Sequence, residues 1–386
     1  MNTRLRTALL FTAASAAAIV AVICALRLIL PGAIGPLADL PSGLITGVGG
    51  ILGIDALGVA TAEMVIGFAG ALGVLAAIVL LRFGESGRDS GRPRIHRMLR
   101  VIALASAALV ALATPGGIIA AAGYTFAMLV LAGIVVLTVL LALRRPWAGL
   151  IVAIAIAGVV VWAVLRNDGA VLLGRILISF GPIAPTMLTA LAHLITAAAL
   201  VAWMLVAGSG GDSGQRDAVH RGAFARFVLR HRVAITVAAA LCAAPYVIAR
   251  ASWLTPWPLF SPGADALAAA PMVQLTGLML GLGMLTGAIL TLGLVLPWGE
   301  RFPRWMAGVG GRRVPPLLAV LPATLVAVLF TFGGLELVVA SASWPTDAVV
   351  MALVLPFWLW GPLLGLATWA YAMRARSRTV PRLVAR

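Results

Sequence analysis

At 386 residues, with 62% apolar and only 10% charged side chains, the chain lies far from the composition of a water-soluble domain, about a quarter of which is charged. So few charges leave no polar surface to face water, and a bilayer must supply the apolar surroundings. The net charge of +16 comes from arginine without any lysine; because those arginines flank apolar runs, they read as topology signals and argue against a nucleic-acid surface.

A membrane-crossing helix needs about 20 apolar residues. Ten such segments are predicted, at Thr7–Leu30, Ala60–Leu81, Leu99–Thr114, Ile118–Leu143, Ala148–Leu165, Pro182–Ala207, Val233–Ala251, Met272–Leu296, Pro315–Leu335 and Ala348–Met373. The first follows Arg4 and Arg6 but is too long for a signal-peptide core, so it reads as a retained helix. The third is short and extends back toward Ile95 if its arginines snorkel to the interface. The connection Pro31–Val59 is Gly-rich and reads as an outer loop, with an interfacial or re-entrant segment as the alternative. Ala170–Phe180 reads as a stretch along the outer surface, and Ala218–Arg232 as a basic amphipathic helix on the inner leaflet. Pro245, Pro322, Pro356 and Pro362 each read as interrupting a helix.

Arginine placement orients the chain. Only Arg27, Arg166, Arg175 and Arg250 fall on one side; the other 24 of the 28 lie in the two termini and four connections that alternate with them. The positive-inside rule therefore predicts an all-α polytopic transmembrane bundle, one integral membrane domain over 1–386, of about ten spans with N and C termini cytoplasmic. Seven acids share the outer side: Asp39, Asp55, Glu63, Asp168, Asp265, Glu336 and Asp347.

Candidate chemistry is sparse. His193 is the one ionisable side chain at predicted midplane depth, where such residues face the bundle interior and often line a substrate path. The same residue type also serves structurally, through one hydrogen bond between helices to Thr189 or Thr196. At the outer end, Arg27, Arg175 and Arg250 are expected to pair with Glu63, Glu336 or Asp55, or else to sit solvated at the interface. His193, Glu63, Arg27, Arg250 and Glu336 are thus the substrate-path candidates. Arg221, Arg226, Arg230, Trp298 and Trp305 are the lipid-interface candidates, facing anionic lipids at the cytoplasmic face. Trp253, Trp257 and Phe260 read as an outer aromatic belt, and the Gly277/Gly281 and Gly283/Gly287 pairs as helix-packing sites. No metal-ligand spacing, phosphate loop, dinucleotide fingerprint or catalytic triad occurs, and no cofactor is expected. Cys24 and Cys242 read as small buried hydrophobes.

The stretch Pro297-Trp298-Gly299-Glu300-Arg301-Phe302-Pro303-Arg304-Trp305, followed by Gly310-Gly311-Arg312-Arg313-Val314-Pro315, resembles one found in multi-pass integral membrane proteins of high-GC bacteria. The resemblance implies the bacterial cytoplasmic membrane and no particular activity. Three functional classes stay open: a transporter or permease for a small solute or lipid, a non-catalytic component that binds a membrane-protein partner, and a membrane-embedded lipid-modifying enzyme. A polar cavity including His193 would favour the first, and a tightly packed interior the second.

Overall fold

A computed structural model describes residues 3–30, 42–86, 93–115, 118, 138–139, 142–143, 146–166, 169–207, 222–261, 263–302, 310–343 and 347–377. Fourteen α-helices run through them: α1 (Thr3–Ile29), α2 (Gly43–Leu52), α3 (Ala56–Ser86), α4 (Pro93–Leu112), α5 (Pro146–Arg166), α6 (Gly169–Ala207), α7 (Ala223–Arg230), α8 (Arg232–Leu241), α9 (Ala244–Ala251), α10 (Ala264–Ala269), α11 (Pro271–Leu292), α12 (Pro316–Ser343), α13 (Asp347–Val354) and α14 (Phe357–Ser377). Among the described residues there is no strand, only one isolated antiparallel bridge between Arg301 and Arg313.

Six stretches are long and apolar enough to cross a membrane: Leu5–Ile29, Ala56–Arg82, Pro185–Val206, Arg232–Leu254, Pro316–Val339 and Val349–Ala375. Shorter apolar helices occupy Met98–Leu112, Gly149–Gly158 and Gly277–Leu292, within three further predicted spans. The span predicted at 118–143 lies almost wholly outside the described residues. Large apolar side chains point outward along these helices, among them Phe11, Leu57 and Ile151. That surface suits acyl chains rather than water.

The helices pack in two groups. The first joins α1, α3, α4 and α6. Its α1 face repeats at helical spacing through Leu10, Ala13, Ala17, Val20 and Cys24, against Ala71 and Val74, Ala103 and Ala107, and Leu200 and Trp203. The second joins α8, α11, α12 and α14 through Ile235, Ala288, Ala327 and the α14 face of Phe357, Trp360, Leu364, Ala367 and Tyr371. Phe330 stacks on Phe357 with ring centroids 4.2 Å apart. Val328 places α12 in the first core as well, so this helix ties the groups together. Alanine dominates because apolar lipid gives helices little hydrophobic reason to associate, and close backbone approach supplies the dispersion contacts instead. The α12–α14 seam is the tightest case: a Cβ on Gly334 would lie 2.0 Å from the Trp358 backbone nitrogen, and one on Gly361 2.3 Å from that of Thr331.

Several sequence expectations need correction. Within the Gly-rich connection, residues 43–52 are not a loop but helix α2, capped by Ser42 and closed by Gly53 at φ 71°. Its glycines are where neighbours come close: Gly47 meets Val339 of α12, and Gly49 meets Val59 of α3. Ala170–Phe180 is not a separate surface stretch. It belongs to the unbroken 39-residue α6, about 58 Å long at 1.5 Å per residue. Nor do the four prolines act alike. Pro322 and Pro362 lie within continuous helices, whereas Pro245 and Pro356 sit at breaks. At Pro356 the missing N–H would have served the Ala352 carbonyl, and the indole N–H of Trp358 donates to that oxygen instead at 3.1 Å. The third predicted span does extend back past its apolar core, in the direction the sequence allows, to Pro93.

Candidate functional site

Among the described residues, a buried polar cluster lies where α1, α3, α4, α6 and α12 meet the buried start of α2. Glu63, about two turns into α3, is 1% exposed. One carboxylate oxygen accepts from Arg27 Nη1 at 2.9 Å, and the other from the Ser42 backbone N–H at 2.6 Å. Arg27 occupies the last turn of α1, where a cation also complements the helix dipole. Ser42 is itself buried. Its hydroxyl donates to the Leu112 carbonyl at the end of α4 at 2.7 Å and accepts from the Ile45 N–H at 3.4 Å. A buried ion pair is tolerable only when its remaining lone pairs are satisfied, and the helix N-terminus does that here.

Glu336 flanks the same helix start. Its Oε2 accepts the Ile118 N–H at 2.8 Å, and a Cβ on Gly43 would fall 2.0 Å from its Oε1. Glycine at position 43 is therefore the residue that lets the second carboxylate reach α2. One acid comes from α3 and one from α12, so the start of α2 is held between the two packing groups.

One turn beyond Glu63 on α3, Gly67 opens a gap filled from three sides. A Cβ there would meet Cys24 Sγ at 2.9 Å, Ala113 Cβ at 3.4 Å and His193 Nε2 at 3.7 Å. His193 is 2% exposed, and its Nδ1 lies 2.8 Å from the Thr189 carbonyl. A carbonyl only accepts, so Nδ1 carries the proton and Nε2 faces Gly67 as an acceptor. Thr189 is one of the two partners named from the sequence, but the contact is to its backbone carbonyl, one turn back in α6, and does not join two helices. Thr196 likewise bonds within α6, to the Ala192 carbonyl.

Other predicted residues fall elsewhere. Arg250 does not join the acids. It lies in the second group, its guanidinium 4.1 Å above the Trp253 ring and 4.8 Å from Tyr246, because α9 packs on α11 and α13 rather than on α3. Trp253 is consequently buried beneath it and over Gly277, not part of an exposed belt, whereas Trp257 is exposed. Asp55 accepts the Gly58 N–H and so caps the start of α3. Arg226 and Arg230 are exposed on α7, and Trp298 folds onto Gly293 at the end of α11. Arg221 and Trp305 lie outside the described residues, and nothing is described of the Arg175 side chain.

Reading the residues singly missed Ser42, Gly43 and the Ile118 N–H. A Ser before a glycine-rich apolar run is a cap signal for the first, but nothing local links Ile118 with Glu336 across 218 positions. Architecture and cluster together define an all-helical, multi-pass membrane protein with a buried ionic network at one end of its first helix group. No protein-family model, curated protein or solved structure matches the chain.

Proposed function

We propose that the chain is a ten-span protein of the bacterial cytoplasmic membrane with both termini inside, and that it acts as a transporter or permease for a small solute or lipid. The supporting observation is the Arg27–Glu63 pair beneath the start of α2, with Glu336 on its other side. Charged groups in a membrane interior are costly and concentrate where substrates or ions pass. A short helix that starts within the bundle is also the device by which transporters place backbone N–H groups at a polar site. Glu63, Arg27, Glu336 and His193 form the path in this reading; Arg250 stands apart. Arg226, Arg230 and Trp298, with Arg221 and Trp305, meet anionic lipid at the inner face.

A second reading, a non-catalytic component holding a protein partner, draws on the close packing around His193, where the gap over Gly67 is filled from three sides. Mild extraction followed by native mass spectrometry distinguishes the two. A transporter should retain a solute or lipid that Glu63→Gln releases. Retention of a protein alone, unaffected by Glu63→Gln, would favour the partner-binding class.

A further inference from the structure

A second polar locus lies where α12 begins beside the end of α14. After the turn Pro297–Gly299, the chain pairs with itself around one antiparallel bridge: the Phe302 N–H donates to the Arg312 carbonyl, and the Val314 N–H to the Glu300 carbonyl, both at 3.0 Å. These two bonds bracket Arg301 and Arg313, which form the bridge between them. Residues so placed are a non-hydrogen-bonded antiparallel pair, the arrangement that brings opposite side chains closest and sends them to one face. Like charges set opposite one another in this way are destabilising. Both arginines line a cleft of about 460 Å³, together with Glu300, Val314, Tyr371 and Arg374.

The counter-charge in that cleft is already committed. Glu300 pairs with Arg374, and the Tyr371 hydroxyl donates to the Gly299 carbonyl at 3.0 Å, which pins the bridged segment to α14. Among the described residues no acid pairs with Arg301 or Arg313. Pro315 and Pro316 also line the cleft, so the positive end of the α12 dipole adjoins the same space. Two arginine side chains leaving one face of the chain into the same cleft, beside a helix start and without a protein carboxylate, offer the forked N–H donors that phosphate oxygens accept.

We propose that this cleft binds a phosphate-bearing anion between Arg301 and Arg313, with the Glu300–Arg374 pair as its fixed wall. The ligand is either a lipid headgroup or free phosphate, and the site is independent of the buried network around Glu63. The test uses the full chain in dodecyl maltoside, titrated with phosphatidylglycerol, with diacylglycerol of the same acyl chains, and with inorganic phosphate. Binding is read by native mass spectrometry and stability by thermal unfolding. Phosphatidylglycerol should bind and stabilise where diacylglycerol does not, and Arg301→Gln/Arg313→Gln should weaken binding by about tenfold or more, since losing even one charge-assisted bond has that effect. Arg313→Gln alone should weaken it too, while Arg100→Gln, at an exposed position of α4, should not. Stabilisation by inorganic phosphate as well identifies free phosphate as sufficient; its absence identifies the headgroup. Without any anion, the double variant should melt at or above the wild-type temperature, because a like-charge contact has gone. Equal effects of diacylglycerol and phosphatidylglycerol, or unchanged binding in the double variant, would overturn the proposal. So would a lower anion-free melting temperature with unchanged binding, which marks a structural role.

Discussion

Glu63 shows how one residue constrains its surroundings. Its two oxygens are shared between a side-chain cation and a backbone N–H, so loss of either partner leaves a buried charge short of compensation. Arg27→Leu or Glu63→Gln alone is expected to cost about 3–5 kcal/mol, as for breaking other buried pairs. Arg27→Leu/Glu63→Gln together should cost less than the sum of the two, because neither charge is then stranded. Chemical unfolding of the four species in detergent measures the cycle, and additive losses would show that the pair is not coupled. That such a pair forms was foreseeable from the outer charges. Arg250 was equally eligible on sequence, but Tyr246 and Trp253, one turn to either side on its own segment, offered it aromatic faces at home.

Among the elements, α2 was the hardest to read. Its composition is that of a loop, since glycine disfavours helix in isolation. What stabilises it is tertiary: a buried serine cap, two flanking carboxylates, and glycines that let Val339 and Val59 approach. Ser42→Ala removes both the cap and the bond to Leu112, and should cost about 1–3 kcal/mol by the usual worth of a cap and a buried hydrogen bond. Gly50 is the contrast. Open space surrounds it, so Gly50→Ala should be neutral or stabilising by about 0.5–1 kcal/mol through helix propensity alone. At the α12–α14 seam the sign reverses. Gly361→Ala drives a Cβ into the backbone of Thr331, which cannot swing aside, and should lower the melting temperature or the yield of folded protein. Thermal unfolding of the three variants would check all of these signs. The prolines teach the same lesson. Each is a breaker locally, yet Pro322 and Pro362 stay within continuous helices, and where the chain does break, at Pro356, Trp358 takes up the freed Ala352 carbonyl.

For the whole molecule, hydropathy located the helices well because an apolar run of spanning length has few alternatives to burial in lipid. Six stretches meet the length and composition of a span, and three shorter apolar helices lie within other predicted spans. The pairing of Glu336 with Ile118 was invisible because it depends on how two helix groups dock. The proposed topology has its own check: impermeant labelling of single cysteines introduced at Ser90 and Ser213 should fail in intact cells, and labelling at Asp265 should succeed. Reversed reactivity would invert the bundle. The permease reading is tested most directly by a residue the protein already has. Cys24 packs over Gly67 beside His193, one turn from Arg27 on α1. In a Cys242→Ala background, a small water-soluble methanethiosulfonate added outside intact cells should modify Cys24, and faster in Glu63→Gln. A Cys24 that stays unmodified from outside in both forms would contradict a path through this cluster.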